Sequence, residues 1–491
     1  MSQMKSIQEP VGFAWWWSEV IFPLLSFLLI LAVVPFYLPL SGIFAAYRHI
    51  LRNRIKEKHP DVIMTDHNDS IWFQDSRNNM AIINALLLFK GKPDVKKMQK
   101  LINERLVEAR GEDGKLLFPK FTRYHKRILH RDVWVEEKSF DINNHVFKWD
   151  QSSPQTKSEL ESLLGYLCSQ PMPEGQALWQ AIMVPSTNRT DEQFYFVLRV
   201  HHGVADGIAL TRVLMNKVMD VPPTEQRPIR FGSKKKWLRA IKAVFTGPAL
   251  LLERLAMGLD RNALHGPELS GDKLVAWSNQ MDLQLIKRMK NAAGCTVNDI
   301  IMSCLAGALR EYFKQHSSII PKNIEAYIPV DIRGSSSISL DNQFALVFFP
   351  LPLHTDDPML QLKETKHRMD KIKNSAEPLL NALVMTYCMA RLPNWLTRLL
   401  FNNMSDKCSM VLSNVPGPQD KLFLGGHALE DAIFWPPQRA RVGMGVSILS
   451  YNGHVKMGLI MDRVILSNPS VLVNLFEEQV NKVAKHLNIS Q

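Results

Sequence analysis

The run Phe194-Tyr-Phe-Val-Leu-Arg-Val200 is short and apolar enough to be a buried strand, and it leads directly into His201-His202-Gly203-Val204-Ala205-Asp206-Gly207. A strand that ends in two histidines and turns at Asp-Gly places an imidazole on a rigid support at the rim of the sheet. An imidazole in such a position can serve as a general base near neutral pH. Ile208 to Met219, directly after the turn, has the spacing of a helix. The chain is therefore expected to contain a strand–turn–helix unit with a histidine at its apex.

A second feature concerns the membrane. Val20 to Tyr47 holds no charged residue. About 20 apolar residues suffice to cross a bilayer, so this segment is expected to be an N-terminal transmembrane anchor. Trp15, Trp16 and Trp17 precede it as interfacial residues, and Arg48, His49, Arg52, Arg54, Lys56 and Lys58 follow it. The basic side is expected to face the cytosol, with the body of the protein. Pro35 and Pro39 can end the helix early or produce a re-entrant hairpin. A cleavable signal peptide fits less well, because the apolar run is too long and no small-residue cleavage site ends it.

Behind the anchor, 491 residues leave room for two domains of ordinary size, and 46% hydrophobic with 22% charged residues suits a full core. The net charge of +12 suits an anionic partner, such as a phospholipid surface or the phosphates of a nucleotide-like substrate. No nucleic-acid-binding motif stands out, and no nucleic-acid partner is expected. Cys168, Cys295, Cys304, Cys388 and Cys408 form no CxxC pair and read as thiols in a reducing compartment. No metal site is expected, since adjacent histidines without a third ligand at helical spacing are weak evidence for one. GxSxG, HExxH and P-loop patterns are absent.

The pattern alternates helix and strand up to the histidines: helices at Lys92–Ala109 and Lys157–Ser169, a strand at Leu178–Val184. Val221 to Pro228 reads as a linker. Lys234 to Phe245 follows, with Trp237, Leu238, Ile241, Val244 and Phe245 on one helical face and lysines on the other, a composition suited either to an anionic membrane or to a surface helix between domains. Leu379 to Met404, broken by Pro393 and with Trp395 nearby, is apolar and amphipathic; it can form an acyl tunnel wall, dock on a membrane or be core, and core is expected. The expected domains are 1–58 (anchor), 59–220 (a half carrying the two histidines), 221–265 (linker with the basic helix) and 266–491 (a second half).

Three further motifs lie in the second half. Thr296 is a good N-cap and Asp299 sits where it completes a capping box for a helix running to Tyr312, with Asn298 beside it. Pro329-Val-Asp-Ile-Arg333-Gly follows a strand-like run. Leu412-Ser413-Asn414-Val-Pro-Gly-Pro418 ends a strand in an enforced turn. Ser447 to Gly458 reads as a hairpin turning at Asn452-Gly453.

His-His-x-x-x-Asp-Gly resembles the signature of CoA-dependent acyltransferases. With Trp134 and Phe140 to His145, the Asn298-Asp299 helix, Pro329 to Arg333, and Ser413 to Pro418 in order, the chain most closely resembles the wax ester synthase/diacylglycerol acyltransferase family. One departure is Asp341 where the family has glycine before Asn342. The resemblance implies an α/β (α+β) fold of two chloramphenicol-acetyltransferase-like halves around a central cleft. It implies His202 as general base, His201 as its supporting neighbour, Asp206-Gly207 as a structural turn with Asp206 paired to Arg333, and Asn298, Asp299, Ser413 and Asn414 along the substrate channel. A buried aspartate needs a partner, and arginine offers two parallel donors. No cofactor is implied. Long-chain acyl-CoA is the donor, and a fatty alcohol or diacylglycerol is the acceptor, with a sterol or retinol as alternatives. An endoplasmic-reticulum membrane is the implied setting. The rival reading is a non-catalytic, membrane-tethered lipid-binding protein on the same scaffold.

Overall fold

The computed structural model describes residues 16–186, 192–222, 236–333, 339–375 and 377–489; the side chains of 18–19, 236–243, 388 and 390 also lie outside the description. Most of the linker expected at Val221–Pro228, together with Lys234, Lys235 and the side chains of Trp237, Leu238 and Ile241, therefore falls outside it.

Two mixed sheets form the frame of a two-domain α/β fold. The first has six strands in the order Phe423–Leu424, His427–Trp435, Ile82–Lys90, Gln193–His201, Trp179–Pro185 and Val146–Lys148. Its central strand, Gln193–His201, pairs antiparallel on both sides, with Ile82 opposite His201 and Trp179 opposite Val200. Phe194, Phe196, Leu198 and Val200 enter one core while Val197 enters another on the opposite face. Burial on both faces is why this strand reads as a continuous apolar run rather than an alternating one. Arg199, buried on the second face, donates to Gln180 Oε1 at 2.7 Å and to the Gln170 carbonyl at 2.5 Å.

The second sheet runs Phe344–Pro352, Asn323–Asp331, Met410–Pro416, Met444–Tyr451, His454–Asp462 and Lys273–Trp277, with the short strand Met281–Asp282 also pairing on His454–Asp462. The hairpin of its fourth and fifth strands turns at Asn452-Gly453, both with positive φ (47° and 80°), as a two-residue hairpin requires. Helix Val297–His316 carries the capping box formed by Thr296 and Asp299 and is buried over most of its length against Ser470–His486 and Pro358–Asn374. Spatial and sequence order part at His427–Trp435. This strand belongs to the second half of the chain but pairs with Ile82–Lys90 and so completes the first sheet.

The N-terminal apolar segment forms one helix, Phe22–Lys58, which runs through Pro35 and Pro39 without ending or turning back. Each proline lacks one N–H donor, but the i−4 carbonyls involved belong to Leu31 and Pro35 alone, and the rest of the ladder continues. Residues 377–405, expected to be mainly core, form instead an amphipathic surface layer of broken helices: Glu377–Leu383, the wide turn Val384–Cys388, Met389–Arg391 and Asn394–Ser405. Met385, Met389 and Phe401 point inward, while Tyr387, Trp395 and Leu399 are 55%, 67% and 60% exposed. Periodicity does not distinguish a buried apolar face from an uncovered one, which is why the sequence alone suggested core.

Candidate active site

His201 and His202 sit at the end of the central strand and face different surroundings. His201 Nδ1 accepts the Gly203 N–H at 3.0 Å, so its Nε2 carries the proton and donates to Asp75 Oδ2 at 2.9 Å. Phe73 stacks on its ring. Both nitrogens are engaged in holding the loop. Gly203 is required there, because a Cβ at this position would lie 2.4 Å from the Phe73 ring.

His202 borders a pocket in the cleft together with Trp72, Gly207, Phe344, Ser413 and Asn414. The indole of Trp72 stacks on the imidazole at 3.7 Å between centroids, and Phe344 approaches its edge at 5.9 Å. Burial pushes its pKa down to about 4. Asp206 opposes this shift, His201 adds to it, and the residue's own carbonyl and Asn342 pull the other way. The ring is therefore neutral at physiological pH, the state a proton acceptor requires.

Asp206 is the N-cap of helix Gly207–Val213: Oδ1 accepts from Ile208 N at 3.1 Å and Ala209 N at 2.9 Å. Oδ2 accepts from Gln343 N at 3.0 Å and from the Arg333 guanidinium. Arg333 also bonds Asp331 Oδ1 at 3.0 Å, and Asp331 Oδ2 in turn holds Arg212 at 3.0 Å. Burial works against the Arg333 charge, but Asp206 and Asp331 outweigh it and raise the guanidinium's hold on its proton. This ion-pair chain joins the histidine loop to the second sheet. With every oxygen occupied, Asp206 has no lone pair free to move a proton.

Asn342 reinforces the same joint. Its amide donates to the His202 carbonyl at 2.9 Å and to Asp69 Oδ1 at 2.8 Å. Lys120 Nζ binds Asp69 Oδ2 at 2.6 Å and the carbonyls of Val204 and Leu340 at 3.2 Å each. Burial raises the Asp69 pKa against the pull of Lys120. The sequence bears no local mark of Trp72, Asp69, Asp75 or Lys120; the only hint is an aperiodic mix of acids and aromatics from His67 to Asp75.

A cavity of about 380 Å³ shares Ile208, Pro329, Asp331 and Asn414 with the His202 pocket. Asn298 and Lys373 line its wall, and Asn414 Nδ2 donates to Asn298 Oδ1 at 2.8 Å. Asp299 lies behind that wall, capping its helix, with Lys373 Nζ 3.7 Å from its other oxygen. A larger cavity, about 580 Å³ beside Lys157, Trp277 and Lys456, touches no residue of the histidine loop.

Two family models match the chain: the wax ester synthase/diacylglycerol acyltransferase catalytic domain over residues 67–261 and the WS/DGAT C-terminal domain over 340–484. A putative diacylglycerol O-acyltransferase of Mycobacterium tuberculosis is 25% identical over 386 residues, covering 71% of this chain and 74% of the relative. The O-acyltransferase WSD of Acinetobacter baylyi is 23% identical over 384 residues, covering 71% and 82%. Among solved structures, the wax ester synthase/diacylglycerol acyltransferase from Marinobacter aquaeolei VT8 superposes with a TM-score of 0.63 at 20% identity, over 87% of this chain and all of the other. A trichothecene 15-O-acetyltransferase from Fusarium sporotrichioides shares the fold at 11% identity, with a TM-score of 0.58 and coverage of 86% and 95%. On these matches and this architecture, the chain belongs to the wax ester synthase/diacylglycerol acyltransferase family.

Proposed function

We propose that this protein transfers a long-chain acyl group from acyl-CoA to the hydroxyl of a fatty alcohol or diacylglycerol, with His202 as general base. The observation that carries the proposal is a neutral, enclosed imidazole held at a strand end where a pocket meets a 380 Å³ cavity. The acceptor hydroxyl gives its proton to His202 as its oxygen attacks the thioester carbonyl. The tetrahedral intermediate collapses, the C–S bond breaks, and the departing thiolate takes the proton from the imidazolium. Both substrates meet in one cleft, so no covalent enzyme intermediate is needed and the entropic cost of encounter is met on binding. Enclosure by Trp72 and Phe344 keeps water away from the thioester.

Asp206, Arg333 and Asn342 hold the loop and do not transfer protons, and His201 positions it through Asp75. Asn298, Ser413 and Asn414 line the acyl or acceptor channel. The apolar helix Phe22–Lys58 associates the protein with a membrane, proposed to be the endoplasmic reticulum with the body in the cytosol. Membranes containing the protein, given labelled long-chain acyl-CoA with hexadecanol or diacylglycerol, should form wax ester or triacylglycerol. Lipid binding without ester formation from either acceptor would instead support the non-catalytic reading.

A further inference from the structure

The N-terminal helix is long and apolar enough to cross a bilayer, yet it does not stand free of the protein. Ser26, Ile30, Val34, Tyr37, Ser41, Phe44, Arg48, Leu51 and Ile55 are buried or half-buried, spaced three and four apart. One face of the helix therefore rests on protein from Ser26 to Ile55, about 44 Å at 1.5 Å per residue, longer than the ~30 Å apolar core of a bilayer. Helix Lys236–Ala256 lies against it, with Phe245 and Phe27 rings 5.1 Å apart. That helix is itself tied to the body: Gly247 packs on Leu380, and Arg254 pairs with Glu377 at 3.3 Å. Farther along, Arg48 donates to the Leu392 carbonyl at 3.4 Å. If the N-terminal helix crossed a bilayer, it would draw Glu253 and Arg254 of its neighbour toward the lipid with it, at a cost of several kcal/mol for a charge inside the bilayer.

The exposed face is apolar from Leu24 to Tyr47, with Phe36 80% and Ile43 64% exposed, and turns basic at Arg52 and Arg54. Beside it lies the outer face of the 377–405 layer, where Leu383, Tyr387, Trp395 and Leu399 are exposed and Arg391 and Arg398 stand among them. Aromatic and arginine side chains around an apolar patch match the boundary between acyl chains and anionic headgroups. The inner face of the same layer reaches the catalytic histidine. Met385, Met389 and Phe401 pack on Trp72 and Phe344, and both of those rings contact His202. One layer of helix thus separates the exposed patch from the proton acceptor. That layer is built from a wide helical turn, a tight one and a proline break, and its inner side chains include two methionines, which repack easily.

We propose that the protein lies flat on a phospholipid leaflet, with the outer faces of Phe22–Lys58 and of the 377–405 layer in the lipid, and that the acceptor passes from the leaflet through this layer to His202. The 380 Å³ cavity, with Asn298 and Lys373 on its wall, is left to acyl-CoA. This rests on the acyltransferase reading above and names its route of acceptor entry.

Two experiments on the full chain test it. In sealed microsomes, Trp17→Cys and Arg54→Cys, each compared with the unaltered chain, should both react with an impermeant maleimide from the cytosolic side without detergent. Reaction of Trp17→Cys only after detergent would overturn the flat placement. In vesicles of phosphatidylcholine and phosphatidylserine, Trp395→Glu/Leu399→Glu should slow acyl transfer to vesicle-borne diacylglycerol at least tenfold and leave transfer to water-soluble hexanol within twofold. Equal rates on diacylglycerol for variant and wild type would overturn the entry route. Hexanol transfer also reports folding in the same sample, and its absence from the wild type would instead sink the acyltransferase reading. For the unaltered chain, a photoreactive long-chain alcohol dissolved in the vesicles should label Leu383 to Leu399; labelling confined to the walls around Asn298 and Lys373 would equally overturn the route.

Discussion

Replacing Arg333 with methionine tests whether the joint between the two halves depends on one buried ion pair. The Arg333 and Asp206 side chains are 2% and 7% exposed. Removing one partner of a buried pair typically costs about 3–5 kcal/mol, because the remaining charge is left without compensation. Here the loss is cushioned. The Asp206 carboxylate keeps three backbone N–H donors, from Ile208, Ala209 and Gln343, and Asp331 keeps Arg212. The low end, about 3 kcal/mol, is therefore expected for Arg333→Met. For domains of about 150–250 residues, each kcal/mol shifts the midpoint by roughly 2–4 °C, so the apparent Tm should fall by about 6–12 °C. Arg333→Lys, which keeps a positive charge beside Asp206 and Asp331, should recover a large part of that loss. Thermal unfolding of the detergent-solubilised protein at one scan rate measures both. A fall of less than about 2 °C for the single variant would refute the claim that this pair holds the halves together.

Four further outcomes follow from the site. Because the folded-state pKa of His202 is lowered to about 4, kcat/KM should show no acidic limb near 6.5 and should stay level to about pH 5, as a pH–rate profile would reveal. The same shift means the unfolded chain binds the proton more readily. Stability contributed by the neutral ring is whole above 6.5 and is lost as the pH falls toward 4, on the order of 3 kcal/mol, and denaturant midpoints for His202→Gln should show a shallower acid decline. Gly203→Ala, which forces a Cβ to within 2.4 Å of Phe73, should cost about 1–3 kcal/mol and displace the loop, seen as a lower Tm together with reduced kcat. Asp299→Ala should remove a helix cap worth about 1 kcal/mol with little change in kcat; a large loss of kcat at unchanged stability would give this aspartate a direct part in the channel.

The parts of this fold that could be read from the sequence are those set by neighbours along the chain. A capping box is four residues, an Asn-Gly hairpin two, and the strand–turn–helix around His202 about twenty. In each the residue types dictate the backbone. What stayed hidden depends on distance along the chain. Strand His427–Trp435 completes a sheet started by Ile82–Lys90, a pairing no local pattern encodes. Trp72 covers His202 and Asp75 anchors His201, yet both come from a segment with neither helical nor strand period. The Asp206–Arg333 pair was reachable through motif resemblance, whereas its partners Asp331, Arg212 and Gln343 required coordinates. The apolar residues of Leu379 to Met404 read as core because composition records hydrophobicity and not what covers it.

The central claim is that His202 takes the acceptor's proton. The most direct measurement is the steady-state rate of ester formation by His202→Ala in membranes, with the variant's amount and melting temperature matched to wild type. General-base catalysis predicts that kcat falls by about 10²–10⁴ while binding of acyl-CoA is preserved. A variant that retains kcat within a few-fold of wild type would contradict the mechanism.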